Sequence, residues 1–375
     1  MAMKCRPVGL LVFVGLALVC GLGPAQAGDG DSSRFARASV AGGDALVHGQ
    51  PYRGDFPDPS VLRVGAGYRA YGTNTAGVNL PILRSNDLRT WIATGPGGEV
   101  APTEGFPSPP SWALTQPNNG ATLWAPSVHR YDGQYVMFYS ARTVSDPDRL
   151  CIGKAVASRA RGPFVDTSSK PYWCPGRAGV INPFFFAHRG RNYLLFKTDD
   201  NRFGRPARLW VKKLRPSLQP GYAPTRRLLT ARSNWEGSLI ENPAMITRRQ
   251  KFYLFYSANR WRTRHYATRY AMCDGPMGPC ARVPYRRTPE SKPTYPPLLR
   301  TDAVHSGPGG ASPFWTRRES LMLAHHAWKR GQEGYAASRD CVRTSRGCGQ
   351  GRMYVARLGF RPQARLRVID TDIAR

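Results

Sequence analysis

The 375-residue chain carries 54 Lys and Arg against 24 Asp and Glu, a formal net charge of +30. The excess is 45 Arg to 9 Lys, spread along the whole chain without a basic helix or arm. Nucleic-acid readers concentrate such charge on one face or motif, so the balance argues against nucleic acid as a partner. It reads as arginine codon bias, with attraction to anionic wall polymers as a further consequence.

Met1 to Ala27 has the layout of a secretory signal peptide. Lys4 and Arg6 supply the positive start, Val8 to Val19 the apolar segment and Ala25-Gln26-Ala27 the small-residue cleavage site. The apolar run is shorter than the roughly 20 residues that span a bilayer, and no other run approaches that length. Val19 before Cys20 is larger than a lipoprotein cleavage site accepts, which argues against a lipid anchor. A soluble, exported product is expected, and it is expected to be a monomer. Residues 28–45 are rich in Gly, Asp, Ser and Ala and read as a flexible leader. Ala45-Leu46-Val47 is a candidate extra strand, and residues 46–375 read as one domain.

That domain is built on a unit that recurs five times around a proline. Asp58-Pro59, Ala125-Pro126, Asn182-Pro183, Asn242-Pro243 and Ser312-Pro313 each open an apolar run. A polar turn and an aromatic-rich second run follow, such as Tyr135-Val136-Met137-Phe138-Tyr139 and Phe252-Tyr253-Leu254-Phe255-Tyr256. The prolines lie 67, 57, 60 and 70 residues apart. Short strands, turn residues and aromatic or branched side chains predict β-hairpins. A third stretch after each hairpin, with no helical period between copies, predicts an all-β, five-bladed β-propeller.

In such a ring the first strands lie nearest the axis. The five residues before the prolines are therefore expected around one channel mouth, with Glu241 one residue before its blade's equivalent. A residue preceding proline is expected to be extended. An Asp from blade one and a Glu from blade four would thus meet.

With Cys5 and Cys20 removed, six cysteines remain as near neighbours: Cys151 with Cys174, Cys273 with Cys280, and Cys341 with Cys348. The spacings favour three local disulfides. Free thiols and zinc are the rival readings, but the spacing fits zinc poorly and export favours disulfides.

Phe56-Pro57-Asp58-Pro59-Ser60-Val61, Leu123-Trp124-Ala125-Pro126, Val180-Ile181-Asn182-Pro183 and Ile240-Glu241-Asn242-Pro243 occur in that order. With Tyr253 to Asn259 they resemble glycoside hydrolase family 43 over about residues 50–360. The resemblance implies a five-bladed propeller and, for most members, inverting removal of arabinofuranosyl or xylosyl units from polysaccharide or oligosaccharide. It implies Asp58 as catalytic base and Glu241 as catalytic acid, on opposite sides of the scissile bond. At the third position, where the family has an Asp that tunes the acid, this chain has Asn182. Loss of that charge is expected to let Glu241 release its proton at lower pH. Asp199, Asp200 and Glu236 are candidates to compensate.

Trp124 matches a sugar-stacking tryptophan of the family, and Asn259 and His305 are further candidate substrate contacts. No cofactor is expected. Some relatives hold calcium or another ion by an axial histidine, but Gly310 stands at that place here, so no metal is carried over. Of His325 and His326, at most one is expected to face the channel, since neighbours on a strand point to opposite faces. The alternative to an active glycosidase is a carbohydrate-binding propeller that has lost catalysis through Asn182.

Overall fold

A computed structural model of the chain describes residues 52–75, 78–93, 102–116, 120–285, 288, 291–335 and 349–373. The signal peptide, the leader, the strand at Ala45-Leu46-Val47 and the Cys341–Cys348 pair lie outside the described residues.

Five antiparallel sheets follow one another along the chain. Blade one holds β1 (Ser60–Val64), β2 (Gly67–Tyr71) and β3 (Ile82–Ser85). A short hairpin, β4 (Thr115–Gln116) and β5 (Gly120–Ala121), precedes blade two, which holds β6 (Leu123–Tyr131), β7 (Gln134–Arg142) and β8 (Leu150–Ala157). Blade three holds β9 (Val180–His188), β10 (Arg191–Thr198), β11 (Arg208–Leu214) and β12 (Arg226–Thr230). Blade four holds β13 (Ile240–Arg248), β14 (Lys251–Ala258), β15 (Ala267–Cys273) and β16 (Cys280–Arg282). Blade five holds β17 (His305–Trp315), β18 (Leu321–Lys329), β19 (Arg352–Phe360) and β20 (Leu366–Asp370). Within every blade each strand pairs with the next in sequence. This is the five-bladed β-propeller that the proline repeat predicts.

The second strands of blades two to five are buried on both faces, as in β14, where seven of eight residues are buried, while the short β2 is buried at three of five. The longer strands pack their side chains against the sheets on either side, so each reads as a continuous apolar run and not as an alternation. Tight turns join first to second strands. Asp132-Gly133, Arg189-Gly190 and Arg249-Gln250 all have positive φ, the turn geometry that matches strand twist. Blade one and blade five close on each other through an apolar cluster that includes Phe56, Tyr68, Phe314 and Met322. The Phe56 amide also donates to the Gly351 carbonyl at 2.8 Å.

The five repeats share a bulge that aims one residue at the axis. In blade two, Trp124 pairs with Ser140 and Ser127 with Phe138, so three steps on β6 oppose two on β7. The same shift separates Ile181 from Phe184, Glu241 from Ala244, and Gly309 from Ser312. The residue inside the bulge has left-handed φ: Asp58 50°, Ala125 49°, Asn182 58°, Asn242 51° and Gly310 60°. The extended conformation expected before proline is therefore corrected. The extra residue of a bulge takes the left-handed well, which kinks the strand and redirects its side chain.

In blade five the bulge residue is Gly310, and Ser312, expected there from the proline, also lines the channel. Gly310 lies three residues before Pro313, inside Gly309-Gly310-Ala311, where the other blades have the bulge residue directly before the proline. All five bulge residues line one narrow axial channel of about 30 Å³.

Candidate active site

A cavity of about 580 Å³ lies at one mouth of that channel, and Asp58, Asn182 and Asn242 line both. Asp58, Trp124, Asn182 and Glu241, taken from four blades, share its wall. Sequence reasoning thus gathers the right blades at one place.

Asp58 is held by neutral groups. The Thr73 hydroxyl donates to its Oδ2 at 2.7 Å, and the Asn242 amide nitrogen donates to its Oδ1 at 3.1 Å. Thr73 Oγ1 also accepts the Ala125 amide at 2.9 Å, so its proton is directed at Asp58. The Asp58 backbone N–H donates to His326 Nδ1 at 3.1 Å. Burial lowers His326 to about 4, so the ring is neutral and its remaining proton sits on Nε2. The 3.7 Å approach of His326 Nδ1 to Asp58 Oδ1 is then not an ion pair. Burial pushes Asp58 up to about 6, against the two donors that favour its ionised form.

Glu241 has charged company. Tyr266 donates to its Oε1 at 3.0 Å, and Lys197 Nζ lies 3.5 Å from its Oε2. Lys197 is 3% exposed and also touches Asp199 Oδ1 at 3.3 Å. Burial raises the proton affinity of Glu241, the Lys197 ammonium opposes that rise, and the Asp58 charge adds to it. Tyr266 also reaches Asn242 Oδ1 at 3.3 Å, so a polar chain runs from Glu241 through Tyr266 and Asn242 to Asp58.

Two glycines make room for this chain. A Cβ on Gly309 would stand 2.0 Å from the Tyr266 ring, and one on Gly310 would stand 2.5 Å from Asp58 Oδ1.

Asn182 has no charge to offer, and its Oδ1 accepts the Asn242 amide at 3.4 Å. Of the three candidates to compensate, only Asp199 is on the cavity wall. Asp200 is committed to Arg205 and Arg208. Glu236 is fully buried against Arg282 and Tyr256.

Trp124 lines the cavity beneath the Arg142 guanidinium, 5.4 Å from its ring. Asn259 and His305 are elsewhere. Asn259 has φ 72° and donates to the His265 carbonyl at 3.1 Å, fixing a turn. His305 is buried, with Nδ1 3.0 Å from Asp302 Oδ2 and its ring against Tyr354. As the strand alternation requires, His326 reaches the cavity while His325 packs beside Tyr354. Two predicted cystine pairs form, Cys151–Cys174 and Cys273–Cys280, with Cα atoms 4.8 and 4.0 Å apart. Among the described residues no cluster of three His, Cys, Asp or Glu side chains could hold a metal, and no helix is long and apolar enough to cross a membrane.

Thr73, Lys197 and Tyr266 escaped sequence reasoning, which placed His326 only as one of two histidines able to face the channel. Thr73, Lys197 and His326 share a detectable signal: each is a polar residue near or just past the end of a blade's second strand, after Gly72, Phe196 and His325.

The profile of glycosyl hydrolases family 43 matches residues 51–353. The chain belongs to that family. Membership places it among glycosidases, which hydrolyse O-glycosyl bonds. Among curated members, it is 26% identical over 247 residues to the extracellular endo-alpha-(1->5)-L-arabinanase 1 of Bacillus subtilis (strain 168), an alignment covering 60% of this chain and 69% of that one. It is 22% identical over 286 residues to the beta-D-galactofuranosidase xynD of Aspergillus niger, covering 73% and 74%. A Thermotoga petrophila extracellular endo-alpha-(1->5)-L-arabinanase is 33% identical over 114 residues, but only 28% of this chain and 22% of that protein are covered. The propeller also resembles the crystal structure of a thermostable family-43 glycoside hydrolase, with a TM-score of 0.65, 22% identity and coverage of 87% and 95%.

Proposed function

We propose that this family 43 protein is an exported glycosidase that hydrolyses arabinofuranosyl or xylosyl linkages in polysaccharide or oligosaccharide, with inversion. The observation that carries the reading is one cavity wall bearing Asp58 and Glu241 in unlike surroundings. Asp58, held by neutral donors, is the base: above about pH 6 it is ionised and takes a proton from water. The water oxygen attacks the anomeric carbon. Glu241, whose burial favours the protonated form, gives its proton to the departing glycosidic oxygen. Such a division needs two carboxyl groups with different proton affinities. Asn182 holds the Asn242 backbone and carries no proton.

Arabinanase and galactofuranosidase relatives support furanosyl substrates, and an endo-1,4-beta-xylanase of Bacteroides thetaiotaomicron, TM-score 0.64 at 23% identity, is among the structures of like fold. Export follows from the signal at residues 1–27 and accords with the extracellular relatives. The +30 charge is proposed to keep the protein near anionic wall polymers.

The test is hydrolysis of aryl pentosides, arabinan, xylan and arabinogalactan by the wild type, Asp58→Ala and Glu241→Ala. Each variant is expected to lose about 10²–10⁴-fold in rate, with the first-formed sugar inverted by NMR. Absence of turnover on every substrate, with glycan binding that survives both substitutions, would replace this reading with a binding propeller.

A further inference from the structure

Four of the five seams between blades hold the bulge by a common device, and one breaks it. The residue paired just before each bulge, near the end of the second strand, reaches the bulge amide of the next blade. Thr73 accepts from Ala125 at 2.9 Å, Ser140 from Asn182 at 3.0 Å, Ser257 from Gly310 at 2.9 Å and His326 from Asp58 at 3.1 Å. In blade three the register puts Lys197 at this position, opposite Ile181. An ammonium has no lone pair to accept with. The Asn242 amide turns instead to Asn182 Oδ1, at the longer distance of 3.4 Å. Lys197 is left to place its charge in the cavity, between Glu241 and Asp199.

This arrangement conflicts with a protonated Glu241, because a buried cation beside a carboxyl favours its ionised form. Asp199 resolves the conflict by sharing the cation. With Lys197 neutralised by Asp199, burial and the Asp58 charge are left to keep the proton on Glu241. Lys197 on β10, Tyr266 before β15, Asp58 before β1 and His326 on β18 act on Glu241, and Asp199 just after β10 reaches it through Lys197. Arg142, Arg260, Arg262 and Tyr335 share the cavity wall. His326 is neutral, Tyr266 is pushed well above its ordinary value by burial, and position 182 is uncharged. Among the described residues, Asp199 is the one anion besides Glu241 that meets the Lys197 cation.

We propose that the Lys197–Asp199 pair, and not position 182, sets the proton affinity of the catalytic acid in this chain, with Asp199 as the third acid of the site. Lys197 and Asp199 are positioning residues that act through Glu241. The inference rests on the glycosidase reading for its purpose, but not for its measurement.

The primary experiment is a carbon-13 NMR titration of protein labelled at glutamate carboxyls, with the Glu241 signal assigned by its loss in Glu241→Gln. It reads protonation whether or not the protein turns over. Asp199→Asn leaves Lys197 paired with Glu241 alone, so the Glu241 midpoint is expected to fall. Lys197→Met removes the cation, so the midpoint is expected to rise. In the double variant Asp199→Asn/Asn182→Asp, which moves the charge across the site, the midpoint is expected to return toward the wild-type value.

If turnover is present, the same order should appear in the alkaline limb for poor leaving groups. One pH unit of displacement is a tenfold change in protonated fraction. Aryl groups that need no proton should escape the effect. Unchanged midpoints in both single variants, or shifts of the same sign, would overturn the proposal while leaving the roles of Asp58 and Glu241 intact. Normal shifts in a protein with no turnover would instead retain the proposal and remove the glycosidase reading.

Discussion

The two carboxyls of the cavity occupy almost the same place in the repeat, yet their surroundings differ in kind. Asp58 lies in the bulge of blade one and meets a hydroxyl, an amide and a neutral imidazole. Glu241 lies one residue ahead of the bulge of blade four and meets a phenol and a buried ammonium. Part of the difference comes from the residue that each preceding blade offers near the end of its second strand: neutral His326 on one side, Lys197 on the other. A pseudo-symmetric ring therefore reaches two protonation environments in part by varying one position per blade. The backbone needs no change.

The strongest way to break this comparison is to fill the space on the Asp58 side. Gly310→Ala places a Cβ 2.5 Å from Asp58 Oδ1 and 2.6 Å from His326 Nδ1, at φ 60°. The left-handed backbone alone costs about 1–2 kcal/mol in an L-residue, and the overlap about 1–3 kcal/mol more. Loss of most activity together with a lower urea midpoint is expected. A folded Gly310→Ala with wild-type rate would mean that Asp58 does not hold the position described.

A subtler change acts on charge without crowding. Thr73→Val keeps the volume but removes the donor to Asp58, so the ionised form loses support and its proton affinity rises. As the proposed base, Asp58 must be ionised to work, so wild-type activity should fail as pH drops through about 6. In Thr73→Val that acid limb should move to higher pH. The Ala125 amide also loses its acceptor, at a cost of about 1–3 kcal/mol. Thr73→Ser, which retains the hydroxyl, should leave the limb in place. A limb that stays fixed in Thr73→Val would detach it from Asp58.

What was legible beforehand divides along the same line. The prolines mark the bulges, so the blade count and the meeting of Asp58, Asn182 and Glu241 can be read from spacing alone. Proline reports neither the φ of its predecessor within a bulge nor that the fifth bulge falls at Gly310, although Ser312 beside it also lines the channel. Thr73, Lys197 and His326 act through register between strands and then across a blade seam, so no local pattern names their partners. Tyr266 precedes its strand, and only the packing of Gly309 against its ring admits it to the site.

The smallest expected effect tests whether the seams are unequal. Ser140→Ala strips the acceptor from the Asn182 amide, a buried bond of 3.0 Å. About 1–3 kcal/mol of stability should go with it, and Ser257→Ala should match it at Gly310. At the seam between blades three and four the acceptor is Asn182 itself, at 3.4 Å, near the limit for such a bond. Asn182→Gly removes that acceptor and also relieves the left-handed strain of φ 58°. Glycine's greater freedom in the unfolded chain, about 0.5–1 kcal/mol, offsets that relief. The net loss in urea unfolding should therefore be smaller than for either serine. An equal loss at all three positions would mean that the seam carrying Lys197 is held as firmly as the others. The lysine would then be an addition to the repeat's bonding and not a replacement within it.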